Sequence, residues 1–218
     1  MITIGLTGGI GSGKSVVASL LELYGMPIYI ADAESKRLLD SLNPNRVASP
    51  VRVEVAYRHS LLRERLTALL GDSIYESDGL NRNLMASLIF SDAKLLEQVN
   101  AIIHPEVALH FRSWAKQQTT NCVVLESAIL FESNFNRLAD TCLMVYAPLE
   151  ARIKRVMERD RITEEEVWQR MQHQIPDEEK KNRADYVIHN DDKQPLIPQV
   201  EKWINKHLKI QQFKDLKY

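Results

Sequence analysis

The chain has 218 residues, of which 44% are hydrophobic and 26% are charged, and its formal net charge is -1. This length allows a full core in one compact α/β domain with insertions, and the balanced charge gives no basic excess for binding nucleic acid or acidic lipid. No apolar stretch approaches the roughly 20 residues of a membrane span. Cys122 and Cys142 both lie in apolar runs without C-x-x-C spacing, which predicts unpaired core thiols in a cytoplasmic enzyme.

A phosphate-binding motif follows the first predicted strand. Residues 8–15 match G-x-x-x-x-G-K-[ST] and come directly after the apolar run 2–7. Glycines let successive backbone N–H groups converge on phosphate oxygens, and the helix that starts there adds its positive dipole end. We expect Lys14 to neutralise β/γ charge and Ser15 to offer a hydroxyl to Mg²⁺. The loop predicts a nucleoside triphosphate site that includes Gly9, Gly11, Ser12, Gly13, Lys14, Ser15 and Val16.

Four more β-rich runs, at residues 26–30, 122–125, 142–147 and 186–189, are separated from one another by helical patterns. Strands that alternate with helices predict a parallel sheet of five strands with helices on both faces, the three-layer α/β/α arrangement. Ligands of such sheets bind beyond the carboxyl ends of the strands. We therefore expect the functional residues at that edge.

Two helical excursions interrupt the strands. Residues from about 33 to 118 show repeated helical periodicity and predict an all-helical substrate-binding insertion. Residues of about 150–183 predict a helical lid, in which Thr163 and Glu166 form a capping box at the start of its second helix. We expect a single domain over residues 1–205 and a surface or frayed tail at 206–218. Arg155 and Arg159 of the lid are candidates to close over phosphates, whereas Arg152 and Arg170 suit a solvated helix face.

Several classes of phosphate-loop protein fit less well. A GTPase needs N-K-x-D to read guanine, and the nearest match, residues 205–208, lacks the aspartate. A motor or transporter ATPase could use Glu126 as its acid, but no signature loop follows. A small kinase remains, with an arginine-rich lid that excludes water. A non-catalytic ATP-binding regulator is the alternative from a different class, and it predicts nucleotide binding without acceptor-dependent turnover.

Asp32 stands at the end of the second predicted strand, eighteen residues after Lys14. An aspartate there can accept or orient the proton of an acceptor hydroxyl for in-line attack on the γ-phosphate. It could instead cap a helix that begins at Ala33. Behind this phosphate loop we favour the catalytic interpretation.

The motifs together resemble the dephospho-CoA kinase family over almost the whole chain. The His-Pro step and the Leu-Phe-Glu step, in this order, distinguish the family from other small kinases. The resemblance rests on residues 5–15, 31–32, 80–82 with 89–90, 100–105, 129–132, 155 with 159–160, and 184–190.

The resemblance implies a reaction and a set of roles. ATP would phosphorylate the ribose 3′-hydroxyl of dephospho-CoA, with Mg²⁺ as the metal, to give CoA and ADP. The alternative function is that of another small-molecule or nucleotide kinase. We favour a monomer. We expect ATP as the nucleotide, with GTP left open. The implied roles are general base for Asp32, triphosphate binding for Lys14, acceptor binding for Arg82 and His104, lid for Arg155 and Arg159, and nucleotide-base proximity for Asn190.

The chain departs from the family pattern at four places. Ile30 replaces the first acid of Asp-Ala-Asp, so Asp32 alone can carry the chemistry. Val16 replaces a threonine and leaves its backbone N–H for the α-phosphate. Ala86 replaces a second arginine of the acceptor clamp, and Glu126 replaces an aspartate. The alternative to acceptor binding for His104 is that it caps or starts, before Pro105, a helix that runs toward Trp114.

Overall fold

The computed structural model describes residues 1–42, 53–76, 79–90, 92–172 and 174–208. The chain divides into two compact units. The first, here the sheet unit, comprises Met1–Ile30 and Ala115–Tyr218, and the second, the helical unit, comprises Ala31–Trp114. The helical unit covers nearly the same residues as the predicted insertion at 33–118, whose role in substrate binding stays a prediction.

The sheet unit contains five strands, which are, numbered along the whole chain, β1 (Ile2–Thr7), β2 (Ile28–Ile30), β5 (Cys122–Glu126), β6 (Thr141–Tyr146) and β7 (Tyr186–His189). They are parallel and lie in the order β2-β5-β1-β6-β7, which confirms the predicted α/β class and its parallel sheet. β1 lies in the centre of the sheet, and its residues from Ile4 to Thr7 are buried on both faces, as expected of a strand covered by helices. The phosphate loop therefore starts from the middle of the sheet.

Five described helices belong to the sheet unit: α1 (Lys14–Leu23), α6 (Leu149–Asp160), α7 (Glu164–Met171), α8 (Asp177–Arg183) and α9 (Leu196–His207). α1 and α9 share a core with one face of the sheet, where Leu6, Leu21 and Trp203 are completely buried. Burial of such side chains contributes about 1.5–3 kcal/mol each. This packing holds the start of α1 firmly behind the phosphate loop.

The structure shifts some predicted boundaries. β2 begins at Ile28 rather than at residue 26, because Pro27 has no N–H for the ladder, although its carbonyl accepts from Val124 N–H at 2.9 Å. Thr163 and Glu166 form the predicted capping box. Cys122 and Cys142 are free and buried, as expected. Most of the predicted tail at 206–218 lies outside the described residues.

The helical unit contains α2 (Ala31–Ser41), α3 (Val53–Leu70), α4 (Arg82–Phe90) and most of α5 (Ala93–Lys116). The prediction that this segment is all-helical is wrong, because β3 (Tyr75–Glu76) pairs antiparallel with β4 (Gly79–Leu80). Strands of two residues are too short to show alternation in a sequence. Across the described ranges, no helix has both the length and the apolar character needed to cross a membrane.

The expectation that His104 and Pro105 start a helix is wrong. α5 already begins at Ala93, and Pro105 lies inside it. The fixed φ of proline suits a helix, although the missing N–H removes one hydrogen bond of the helix interior. His104 is therefore held in the middle of a long helix, which gives its side chain a defined position.

Candidate active site

The phosphate loop connects the end of β1 at Thr7 to the start of α1 at Lys14. Gly13 occupies the N-cap position with φ 86° and ψ 20°, and the cap makes no side-chain hydrogen bond. Backbone N–H groups in the first turn of a helix lack helical partners, so an N-terminus without a side-chain cap attracts anions. The loop thus has the local geometry expected of a phosphate site.

Asn190 follows β7 and lies directly against this loop. Its side-chain N–H donates to the carbonyl of Ser12 at 2.8 Å, and its backbone N–H donates to Tyr146 at 2.7 Å. A Cβ atom at Gly13 would collide with the Asn190 amide, and the left-handed φ of Gly13 also favours glycine. Asn190 therefore braces the loop, and its expected position near the nucleotide base stays a prediction.

Ser15 and Val16 are exposed in the first turn of α1. The backbone N–H of Val16 donates to the Gly13 carbonyl at 3.0 Å. That hydrogen bond competes with the donation to the α-phosphate that the sequence predicted for Val16. Ser15 is thus accessible at the start of α1, and its role as a Mg²⁺ ligand stays a prediction.

Lys14 forms an ion pair with Glu126. Glu126 ends β5, is only 6% exposed, and lies beside Leu6 of β1 and Ile30 of β2 in the strand register. A buried carboxylate needs a compensating charge, and Lys14 provides it. From the sequence, Glu126 was recognised as an acid directly after the buried run 123–125 and as the replacement for a family aspartate, but it was not included among the expected site residues.

The donor set at this point fits Mg²⁺. Mg²⁺ binds through one or two carboxylates together with phosphate oxygens and waters, and not through a full protein cage. Glu126 supplies a carboxylate beside Lys14, and Ser15 supplies a hydroxyl one residue further along. Over the residues that the structure describes, no group of three His, Cys, Asp or Glu side chains could hold a metal by itself.

The lid arginines have different surroundings. Arg155 donates to the Asn190 carbonyl at 3.3 Å and pairs with Asp192 at 3.1 Å. It therefore contacts the residue that hydrogen-bonds to the phosphate loop. Arg159 instead binds Asp160, and Arg170 shares that carboxylate. The hydrogen bond from Arg159 is the main reason that the pKa of Asp160 falls to about 2. The structure thus associates Arg155 with the loop and Arg159 with an exposed ion-pair cluster.

The predicted environment of Arg152 is wrong. This residue was predicted on a solvated face, but it is only 5% exposed. Its Nε donates to the carbonyl of Ile10 at 2.8 Å, and the guanidinium pairs with Asp177. The acidic residues along the lid indicated a solvated helix face. The spacing of residues within one helix cannot show that an arginine is buried against a loop far away in the sequence.

A buried ion pair lies nearby in the same unit. Lys180 is completely buried, contacts Glu132 at 3.1 Å, and donates to the carbonyl of Ala128 at 2.7 Å. Burial lowers the pKa of Lys180, and the Glu132 carboxylate offsets part of that effect. Glu132 also accepts from Ile175 N–H at 2.9 Å. The Leu-Phe-Glu step therefore anchors the chain between α7 and α8.

The helical unit contains the proposed base, Asp32, and the residues expected to bind the phosphoryl acceptor, Arg82 and His104. Asp32 is exposed in the first turn of α2, which begins at Ala31, so it does not cap a helix starting at Ala33. Burial lowers the pKa of His104 in α5, and the negative charge of Asp32 offsets part of that decrease. His104 is accordingly neutral at pH 7. The structure brings this acid and this histidine into electrostatic contact.

Arg82 is the first residue of α4 and grips α2. It donates to the carbonyl of Lys36 at 2.8 Å and pairs with Asp40 at 2.7 Å. Lys36 lies about 6 Å along the helix from Asp32, at 1.5 Å per residue. Arg82 is therefore tied to the helix that carries Asp32, and its role toward an acceptor stays a prediction, as does the effect of Ala86 one turn further on.

Comparison with known proteins gives a consistent assignment. The sequence model of the dephospho-CoA kinase family matches residues 2–195. A dephospho-CoA kinase of Bacteroides fragilis is 44% identical over 200 residues, covering 91% of this chain and 89% of that protein. One of Porphyromonas gingivalis is 43% identical over 201 residues, covering 92% and 91%. A crystal structure from Thermus thermophilus is 33% identical with a TM-score of 0.72, covering 95% and 96%. The chain belongs to the dephospho-CoA kinase family.

Proposed function

We propose that the protein transfers the γ-phosphoryl group of ATP to the ribose 3′-hydroxyl of dephospho-CoA, giving coenzyme A and ADP in the last step of coenzyme A biosynthesis. The observation that carries the proposal is the ion pair between Lys14 and the buried Glu126 at the head of α1, in a chain of this family. In that arrangement a cation and a carboxylate lie beside the N-terminus of the helix that follows the phosphate loop.

The loop and Lys14 bind the triphosphate. The free N–H groups at the start of α1 donate to phosphate oxygens, and the helix dipole favours their charge. A bound triphosphate offers Lys14 an anionic partner in addition to Glu126. Because phosphoryl transfer depends on positioning and charge stabilisation, a lysine that contacts the β- and γ-phosphates contributes directly to the rate.

Ser15 and Glu126 are the residues that would hold Mg²⁺. Held there, Mg²⁺ would supply positive charge that offsets the negative charge of the phosphates during transfer. Glu126 has a second function in this scheme, since its ion pair holds the ammonium of Lys14 at the carboxyl end of β5. Both roles need a carboxylate that is held rigidly at a strand end.

Asp32 accepts or orients the proton of the acceptor hydroxyl. An aspartate does this best when exposed enough to meet substrate, as Asp32 is. His104, neutral because burial lowers its pKa, can exchange a hydrogen bond with the acceptor without adding a charge beside Asp32. Arg82 offers a guanidinium for an anionic group of the acceptor, competing with Asp40.

The lid completes the proposal. Arg155 is the first candidate to contact the triphosphate, because it already reaches Asn190 beside the loop. Arg159 requires release from Asp160 before it can join. Asn190 lies near the nucleotide base when ATP is bound. We further propose a single kinase domain with the insertion at 33–118 and the lid at 150–183, a monomeric state, and a cytoplasmic location.

An acceptor panel tests the substrate assignment. Purified protein is mixed with ATP and Mg²⁺ and assayed for ADP release with dephospho-CoA, nucleosides or nucleoside monophosphates. We expect turnover with dephospho-CoA that exceeds every other acceptor by orders of magnitude. Equal or greater turnover with a nucleoside or a nucleotide would assign the site to another kinase reaction. ATP binding without any turnover would favour the regulator.

A further inference from the structure

We infer that Arg152 and Gln174 are positioning residues that hold the Gly9–Ile10 segment of the phosphate loop in the conformation that ATP requires. We call this pair the Ile10 clasp. The inference rests on the proposed function, because the binding of ATP is the step that it affects. Neither residue was among those expected to bind nucleotide or acceptor.

Both polar groups of one loop residue are occupied by the clasp. The Ile10 N–H donates to Gln174 Oε1 at 3.1 Å, and the Ile10 carbonyl accepts from Arg152 Nε at 2.8 Å. Rotation of either peptide plane beside Ile10 would break one of these hydrogen bonds. The two side chains therefore restrict the loop at its tip, where β1 and α1 do not reach it.

Arg152 also contacts the residues on both sides of Ile10. A Cβ atom at Gly9 would collide with the Arg152 guanidinium, and one at Gly11 would lie 2.5 Å from the Arg152 carbonyl. α6 thus packs directly against the loop. The glycines at these two positions serve this close approach as well as the approach of phosphate.

Each member of the clasp is itself anchored. The guanidinium of Arg152 pairs with Asp177 in the first turn of α8. Gln174 precedes Ile175, whose N–H donates to Glu132, the partner of the completely buried Lys180. Because these anchors are buried or half-buried, the clasp is held from behind and does not depend on an exposed contact.

The clasp should affect the binding of ATP more than the binding of the acceptor. A loop already held in one conformation loses less entropy when phosphate binds, and this lowers the free energy cost of binding. Loosening the clasp should therefore raise the KM for ATP and weaken nucleotide binding. The KM for dephospho-CoA should stay within about twofold, since no clasp residue belongs to the helical unit.

Two conservative variants test the clasp. Arg152→Lys keeps the positive charge for Asp177, but an ammonium lacks the fixed fork that serves Asp177 and Ile10 together. Gln174→Met keeps the side-chain length but cannot accept strongly from the Ile10 N–H. Steady-state kinetics, isothermal titration with ADP and Mg²⁺, and thermal melts are measured for each. Lys154→Met is the matched control, because Lys154 lies on the same helix with its side chain 76% exposed.

We expect Arg152→Lys to raise the KM for ATP and the Kd for ADP by about 10-fold, the scale of one lost hydrogen bond to a charged group. Gln174→Met, which loses a neutral hydrogen bond, should raise both by about 5-fold, while the control is unchanged. If the clasp variants lower the melting temperature but bind ADP as tightly as the wild type, the residues are only structural and the inference is wrong. If wild-type protein itself binds no adenine nucleotide, the proposed function fails first, and that result is distinct.

Discussion

The buried pair of Lys180 and Glu132 offers a sharp test of the packing behind the phosphate loop. We consider Lys180→Met, which keeps the chain length and the burial of the stem but removes the charge. The Lys180 side chain is completely buried, and the Glu132 side chain is 17% exposed. After the substitution, Glu132 keeps the hydrogen bond from Ile175 but loses its cation, and its Oε2 already has no hydrogen-bond partner among the described residues.

The size of the effect follows from this burial. Breaking a buried ion pair at one end costs about 3–5 kcal/mol, because an uncompensated charge remains inside the protein. The partial exposure of Glu132 places the expected loss near the lower end, about 3 kcal/mol. A chain of this size loses about 2–4 °C of melting temperature per kcal/mol, so we expect a decrease of about 6–12 °C.

The assay is calorimetric melting of the wild type, Lys180→Met, Glu132→Gln and the double variant. The double variant removes both charges and should recover at least half of the loss, because no unpaired ion remains. Glu178→Gln is the control on the same helix, since the Glu178 side chain is 77% exposed and its pair with Lys181 contributes about 1 kcal/mol or less. Additive effects in the double variant, or equal losses for Lys180→Met and Glu178→Gln, would contradict this account of the buried pair.

Three further predictions concern the site. Asp32→Asn should lower kcat by about 10²–10⁴-fold and leave the Kd for ATP unchanged, since only the proton acceptor is lost; near-normal turnover would exclude Asp32 as the base. Gly13→Ala should weaken ADP binding by more than about 10-fold in titration calorimetry, because a Cβ there meets Asn190, whereas Gly25→Ala, also left-handed but in open space, should not; equal effects would contradict this. The pKa of His104 is lowered, so the unfolded chain binds more protons below pH 6.5 and stability rises with pH toward that value. His104→Gln should therefore show a smaller gain in melting temperature between pH 5 and 7 than the wild type, and an unchanged gain would show that His104 does not titrate as described.

Local patterns predicted the parts of the fold that depend on local sequence. The phosphate loop, the capping box at Thr163 and the parallel strands each have a short signature whose chemistry determines the structure. The acid at Glu126 was visible as well, although its pairing with Lys14 needed the register of β1 and β5. Strand neighbours come from packing of distant segments, and no window of sequence contains that information.

Other features were predicted wrongly because the deciding contacts are tertiary. Arg152 was assigned to a solvated face from its own helix, but a loop 142 residues away and Asp177 bury it. A helix start at Pro105 was one of the two alternatives considered for His104, yet α5 accommodates this proline in its interior. The hairpin at Tyr75 is only two residues long on each side. In each case, burial or pairing with a remote segment outweighed local preference.

The most direct measurement of the central claim is the product of one reaction mixture. Purified protein is incubated with ATP, Mg²⁺ and dephospho-CoA, and ADP release is followed while mass spectrometry and ³¹P NMR identify the phosphorylated product. We predict equimolar ADP and coenzyme A, with the new phosphate on the ribose 3′-oxygen, and no ADP when dephospho-CoA is omitted. Adenine nucleotide binding without a 3′-phosphorylated product would contradict the proposed reaction.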